Sequence, residues 1–190
     1  MKKENVFIDP NVARKNKLRN VLETKHIGAN EPPLFSWIEF SLVGLCNRRC
    51  DFCPWSDPEW RSSHVPNVAG NDDVLHLPIE VYEGIMKDLN KVGFKGGIIY
   101  SAFSEPFLYK HLEEVIKISK EQCPESRIEV VTNGDFLTID KLNAFFEAGL
   151  TRIDVSVYDG PDKVKPFEDL RVEAGLNKEQ FHIRERWYAP

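Results

Sequence analysis

The sequence has 190 residues, 42% of them hydrophobic, and a formal net charge of −5. This size suits one domain with a real core, and the negative charge argues against a general nucleic-acid binder, because phosphate binding needs a basic surface. The N-terminus lacks the apolar core of a signal peptide and nothing approaches the ~18 consecutive apolar residues of a membrane span, so we expect a cytoplasmic protein with no membrane or nucleic-acid partner.

The first predicted elements lie on either side of a cysteine-containing loop. Residues 1–33 are rich in charge and end in paired prolines, so they are predicted to form an N-terminal extension to a core domain at 34–190. The segment 35–43, "FSWIEFSLV", alternates apolar and polar residues and predicts the first strand. After the cysteines, a polar segment runs over 56–77, too long for a plain connector, and we expect it to be functional or mobile.

From there, predicted helices and strands alternate to the end of the chain. The helices are predicted at 78–92, 108–122, 137–150 and, more weakly, 164–175, and the strands at 96–103, 127–134, 152–160 and 180–188. This alternation predicts parallel strands covered by helices. The fold class is therefore α/β, a partial TIM-like (β/α) barrel of about five β/α units, truncated before it closes.

Three thiols, Cys46, Cys50 and Cys53, fall within eight residues in the spacing C-x3-C-x2-C. In a reducing compartment such a cluster predicts a metal site rather than disulfides. A cubane iron–sulfur cluster normally takes four thiolates, so three would leave one iron open to another ligand. Two alternatives stay open: unliganded thiols, and a structural zinc whose fourth ligand is His64 or Cys123.

The motif "CNRRCDFC", which follows a strand and has an aromatic residue before its third cysteine, resembles that of the radical S-adenosylmethionine (SAM) enzymes. The resemblance implies that Cys46, Cys50 and Cys53 hold a [4Fe–4S] cluster whose open iron is chelated by SAM, with Phe52 near the adenine. It further implies that an electron from the cluster cleaves SAM to methionine and a 5′-deoxyadenosyl radical, which abstracts hydrogen from the substrate.

A second motif, "SAFSEPFL" at 101–108, is similar to the glycine-rich "GGEP" segment of that family. Glu105 matches the family's glutamate, and the resemblance implies a charge-assisted hydrogen bond to the amino group of SAM. Ala102 and Ser104 stand where glycines are common, and the resemblance places Ser104 with Glu105 among the residues that bind SAM. Such small residues still let a ligand come near, but a position that needs positive φ becomes costlier. The alternative is that Glu105 only caps the next helix.

Two further stretches are similar to the family in the expected order. "VVTNGDFLT" at 130–138 matches its "TNG" segment, where a turn at Asn133 and Gly134 would bring polar groups to SAM, although Asn-Gly is also simply a favoured turn. In "IDVSVYDG" at 153–160, Ser156 would reach the ribose or carboxylate of SAM, or would be a satisfied core hydroxyl. The aromatic residues Trp55, Trp60 and Tyr158 are candidates for a substrate mouth or for ordinary core.

The resemblance spans about residues 35–188 and is nearest to radical SAM/SPASM-type enzymes, some of which modify peptides or carbohydrates. It implies a radical SAM enzyme that takes electrons from a donor such as flavodoxin or ferredoxin and acts on an unknown, peptide or carbohydrate, substrate. Such enzymes normally have about six β/α units and further cysteines, so we expect the N-terminal portion of a longer enzyme. The alternative is a non-catalytic metal-binding module, either zinc-stabilised or a degraded radical SAM half.

Overall fold

The computed structural model describes residues 36–59 and 75–187. Within these ranges, five strands alternate with four α-helices. In chain order they are β1 (Trp37–Phe40), α1 (Ile79–Lys91), β2 (Gly97–Tyr100), α2 (Leu112–Gln122), β3 (Arg127–Thr132), α3 (Ile139–Ala148), β4 (Arg152–Val157), α4 (Val164–Glu173) and β5 (Phe181–Glu185). The predicted N-terminal extension at 1–33, Trp60, His64 and most of the polar segment at 56–77 lie outside the described residues.

The strands form one sheet in the order β1-β2-β3-β4-β5, and every neighbouring pair is parallel. All five strands therefore end at the same edge, where α/β barrels build their sites. The predicted α/β fold is confirmed: the described residues contain five parallel strands, and an α-helix follows each of the first four. None of the helices in the described ranges is long and apolar enough to cross a membrane.

The observed strands are shorter than the predicted ones, and residues just beyond the ends of β1 and β2 make hydrogen bonds between loops. Leu77 N donates to Leu42 O at 2.9 Å, and Glu105 N donates to Leu45 O at 2.9 Å. These bonds attach the segment after β1 to the start of α1 and to the loop after β2. The residues that follow the strands thus belong to a network of loops at the site edge.

Helices α1 and α2 cover one face of the sheet and are joined to β2 by a buried hydroxyl cluster. The Oη atoms of Tyr82 and Tyr100 lie 2.7 Å apart, and Tyr100 Oη lies 2.7 Å from Ser119 Oγ. Burial raises the pKa of Tyr82 to about 12, so the cluster stays neutral at physiological pH. This fully paired cluster supports β2 directly beneath the loop that carries Glu105.

The opposite face of β4 and β5 carries charged side chains. Asp154 is fully buried, and its Oδ1 lies 2.8 Å from Arg152 Nη2 and 2.7 Å from His182 Nδ1. Burial alone would raise the pKa of Asp154, but the hydrogen bonds from His182 and Arg152 outweigh it and lower the pKa. Because side chains alternate along a strand, Ser156 lies on this same face, one step nearer the site edge.

Candidate functional site

A cleft of about 90 Å³ opens at the edge where the strands end. It is bordered by the loops after β1 and β2 and by the ends of β3 and β4. The eight side chains predicted to hold the cluster or SAM all line it: Cys46, Cys50, Phe52, Cys53, Ser104, Glu105, Asn133 and Ser156. Parallel strands bring these residues together, although they are far apart in the sequence.

The cysteine loop presents its three thiols, all partly buried, to this cleft. Cys53 N donates to Cys50 O at 2.9 Å, and the chain then enters a short 3-10 helix, Pro54–Ser56. Burial is the largest influence on the pKa of Cys46 and of Cys50 and raises both. A bound cation would reverse this effect by stabilising the thiolates. Three soft ligands on one loop therefore suit an iron–sulfur cluster or zinc.

Two other residues bear on the zinc alternative. Cys123 is buried in the hydrophobic core at the end of α2, and it is not among the residues that line the cleft. His64 lies outside the described residues. Within 36–59 and 75–187, no three His, Cys, Asp or Glu side chains are grouped so that they would hold a single metal ion.

Glu105 is only 1% exposed and joins the loop after β2 to the end of β3. Its Oε1 accepts hydrogen bonds from Phe107 N at 3.1 Å and Thr132 Oγ1 at 2.7 Å, and its Oε2 accepts one from Asn133 N at 2.9 Å. Burial raises the pKa of Glu105, and the three hydrogen bonds oppose that rise. Glu105 therefore caps the helix Pro106–Leu108, as the alternative expected, while Oε2 keeps one lone pair for a ligand.

The predicted turn at Asn133 and Gly134 is present and requires glycine. Gly134 has φ +82°, and a Cβ at this position would lie 2.5 Å from a ring carbon of Phe167. Asn133 Oδ1 accepts a hydrogen bond from Asp135 N at 2.9 Å, and Asn133 Nδ2 donates to Asn47 Oδ1 at 2.8 Å. Asn133 thus links the end of β3 to the cysteine loop as well as lining the cleft.

Arg48 is the main site residue that the sequence analysis missed. Its Nε donates to Asp135 Oδ2 at 2.7 Å, and its Nη1 donates to Asp159 Oδ1 at 3.0 Å, with a second bond from Nη2 to each carboxylate. The hydrogen bond from Arg48 is the largest influence on Asp135 and lowers its pKa. We call these three residues the Arg48 clamp. The clamp holds the cysteine loop to the segments after β3 and β4. In the sequence, the only indication of the clamp was the presence of an arginine inside the cysteine motif.

The aromatic candidates differ in their exposure and in whether they line the cleft. Phe52 is 57% exposed, and its ring centroid lies 5.2 Å from that of Tyr158, whose ring has Arg48 over it at 5.9 Å. Trp55 is 6% exposed and does not line the cleft. An exposed aromatic ring beside a cleft suits a flat apolar ligand group, so Phe52 and Tyr158 fit a ligand site, whereas Trp55 is buried structure.

Ala102 occupies one of the positions where the related segment commonly has glycine, and its φ is +75°. We expect Ala102→Gly to raise the free energy of unfolding by about 0.5–1 kcal/mol, because the strain of a Cβ at positive φ exceeds the extra chain entropy of glycine. Thermal unfolding measures the effect. Ala144→Gly, inside α3, is the control and should lower stability. An unchanged or lower midpoint for Ala102→Gly would contradict the strain.

Comparison with known proteins identifies a family. The model of the Radical SAM superfamily matches residues 40–175. The S-adenosyl-L-methionine-dependent 2-deoxy-scyllo-inosamine dehydrogenase of Niallia circulans is 31% identical over 127 residues, which are 67% of this chain and 46% of that protein. The GTP 3′,8-cyclase of Aquifex aeolicus is 34% identical over 142 residues, 73% of this chain and 40% of that protein.

The fold is also similar to solved structures. BtrN in complex with AdoMet and 2-DOIA superposes with a TM-score of 0.63 at 27% identity, over 80% of this chain and 56% of BtrN. BtrN in an open conformation gives a TM-score of 0.59 at the same identity and coverage. The chain thus spans roughly half of the length of the relatives that it matches.

Proposed function

Because the chain belongs to the radical SAM superfamily, we propose that Cys46, Cys50 and Cys53 bind a [4Fe–4S] cluster and that SAM binds beside it in the cleft. When bound, the cluster supplies an electron for the reductive cleavage of SAM, which in turn allows hydrogen abstraction from a substrate. Three protein ligands leave the fourth iron for SAM. The observation that carries the proposal is that three thiols and a buried carboxylate from different strand ends line one cleft.

The side chains around the thiols have distinct roles in this proposal. Glu105 accepts a hydrogen bond from the amino group of SAM through the lone pair that its protein partners leave on Oε2. Phe52 packs against the adenine. Ser104, Asn133 and Ser156 offer hydroxyl and amide groups to the rest of SAM.

The reaction also needs an electron donor and a substrate. We propose a small redox protein such as flavodoxin or ferredoxin as the donor. The names of the two relatives concern an inosamine and GTP, and the first supports a carbohydrate-like substrate over a peptide. Both relatives are enzymes, which supports the proposed enzymatic activity.

Anaerobic reconstitution of the chain with iron and sulfide tests the proposal. We expect a brown protein with ~4 Fe per chain that forms 5′-deoxyadenosine from SAM on addition of dithionite. Cys46→Ala should lose most of the iron and all of the product, because two remaining thiolates bind a cluster poorly. Cys123→Ala is the matched control and should keep both, since this thiol lies away from the cleft.

The zinc-stabilised module predicts the opposite result. One zinc per colourless chain, with neither iron nor 5′-deoxyadenosine after reconstitution, would contradict the proposed function. Iron and product are separate readouts, so a chain that holds the cluster without cleaving SAM would support the site and contradict the activity.

A further inference from the structure

A second cavity, of about 430 Å³, adjoins the cleft. The two share part of their walls, contributed by Phe52, Ser101, Ala102, Val131, Ser156 and Tyr158. The second cavity differs in reaching β5, where Arg184 and Arg186 complete its lining. A molecule in this cavity would therefore lie next to whatever fills the cleft.

The backbone of β5 places both arginines on this wall. Arg184 is the register partner of Ser156, and Arg186 N donates to Val157 O at 2.8 Å just past the end of the strand. Side chains alternate along an extended chain, so Arg184 and Arg186 share one face while Glu185 takes the other. Both arginines are half-buried and Glu185 is exposed.

The lining of the second cavity favours an anion. Among the described residues around it, two are arginines and none is acidic, while Phe52, Val131 and Tyr158 supply apolar and aromatic surface. Each guanidinium has five N–H donors, so a contact with the protein leaves others for a ligand. Its planar fork matches carboxylate and phosphate oxygens, and partial burial strengthens such pairs.

The neighbouring cleft has a different electrostatic character. Its own arginine, Arg48, donates to two carboxylates, those of Asp135 and Asp159. The guanidinium of Arg48 therefore serves to hold the cysteine loop. Arg184 and Arg186 bring positive charge to the wall of the second cavity.

We propose that Arg184 and Arg186 bind an anionic group of the substrate, a phosphate or a carboxylate, in the second cavity. This rests on the proposed function, because SAM in the cleft is what would make the adjoining cavity the place of the substrate. Two sources of the anion share this chemistry: the substrate, and the carboxylate of SAM itself. The experiment separates them.

Equilibrium dialysis of the reconstituted full chain tests whether Arg184 and Arg186 bind an anion. The probe is radiolabelled inorganic phosphate at constant ionic strength. We expect Arg184→Gln and Arg186→Gln each to weaken phosphate binding about tenfold, since one charge-assisted hydrogen bond is worth at least a factor of ten. Arg184→Lys, which keeps the charge and loses the fork, should give a smaller loss. Lys178→Gln makes the same change of charge on an exposed residue that does not line the cavity, and should bind phosphate normally.

The same variants are then tested for SAM affinity. Substrate recognition predicts SAM affinities within twofold of the wild type. An equal fall in SAM and phosphate affinity would assign the pair to the carboxylate of SAM and overturn the proposal, as would phosphate binding that is unaffected in both glutamine variants. Absence of iron and 5′-deoxyadenosine in the wild type would contradict the proposed function alone, because phosphate binding is measured independently of both.

Discussion

Glu105→Gln is expected to weaken SAM binding at least tenfold while the iron content of the protein stays the same. Glu105 is not a cluster ligand in the proposed site, so the three thiols should still assemble the cluster. Its Oε2 accepts a hydrogen bond from Asn133 N and keeps one further lone pair, which the proposal gives to SAM. The neutral amide removes the charge that would pair with the amino group of SAM. Equilibrium binding of SAM to the reconstituted protein measures the loss.

The same substitution should also lower stability. An amide nitrogen in place of Oε2 would face Asn133 N, so two donors would meet in a site that is 1% exposed. Leaving buried donors without an acceptor costs about 1–3 kcal/mol, which thermal unfolding would detect as a lower midpoint.

Two control variants separate binding from structure. Glu113→Gln changes an exposed carboxylate on α2 and should affect neither property. Thr132→Val removes the 2.7 Å hydrogen bond to Glu105 Oε1 but keeps the carboxylate, so it should lower the midpoint and leave SAM affinity within about threefold. Equal SAM losses in Thr132→Val and Glu105→Gln would show that Glu105 acts only as a structural cap. Loss of iron in Glu105→Gln would lead to the same conclusion.

The second large effect is expected on breaking the Arg48 clamp. Arg48→Gln removes four charge-assisted hydrogen bonds and leaves Asp135 and Asp159 without their shared cation. Arg48 is 22% exposed and its partners are 31% and 49% exposed, so solvent moderates the loss to about 1–3 kcal/mol. The cysteine loop should move more freely, and the iron should be removed by a chelator several-fold faster.

The variants Arg48→Lys and Arg49→Gln are the controls for this prediction. Lysine keeps the charge but lacks the fork that reaches two carboxylates at once. A chelator should therefore remove iron from Arg48→Lys more slowly than from Arg48→Gln but faster than from the wild type. Arg49 contacts Trp55 O at 3.3 Å and is not part of the clamp, so Arg49→Gln makes the same change of charge without breaking it. Chelator rates for Arg48→Gln equal to those of Arg49→Gln would contradict the clamp.

The clamp also has a defined pH dependence. The folded-state pKa of Asp135 is lowered, chiefly by Arg48. The pairing of Asp135 with Arg48 therefore stabilises the folded protein fully above the ordinary aspartate pKa of about 4, and this stabilisation is lost as the pH falls through the lowered pKa. The difference in unfolding free energy between the wild type and Arg48→Gln should be constant above about pH 5 and shrink below about pH 4. Chemical unfolding across this range measures it, and a difference that does not vary with pH would assign the effect to another interaction.

The sequence by itself determined the order and type of the elements and the identity of the ligand loop. Binary patterns report local burial, so the alternation of strand and helix was readable along the chain. The spacing of Cys46, Cys50 and Cys53 and the segments "SEP" and "TNG" are also local, and strands that all run parallel bring their following loops to one edge. The eight residues predicted to hold the cluster or SAM all line the cleft for this reason; their binding roles remain proposals.

The tertiary structure alone decided which charges meet. An arginine in a polar loop has a solvated surface position as its default, and only the folded chain shows that Arg48 reaches aspartates after two different strands. The same holds for the hydrogen-bond partners of Glu105 and for the cavity wall that Arg184 and Arg186 form. Each depends on contacts between segments that are distant in the sequence. Local patterns specify what each segment becomes, whereas the pairing of distant charges follows from how the strands are ordered and registered in the sheet.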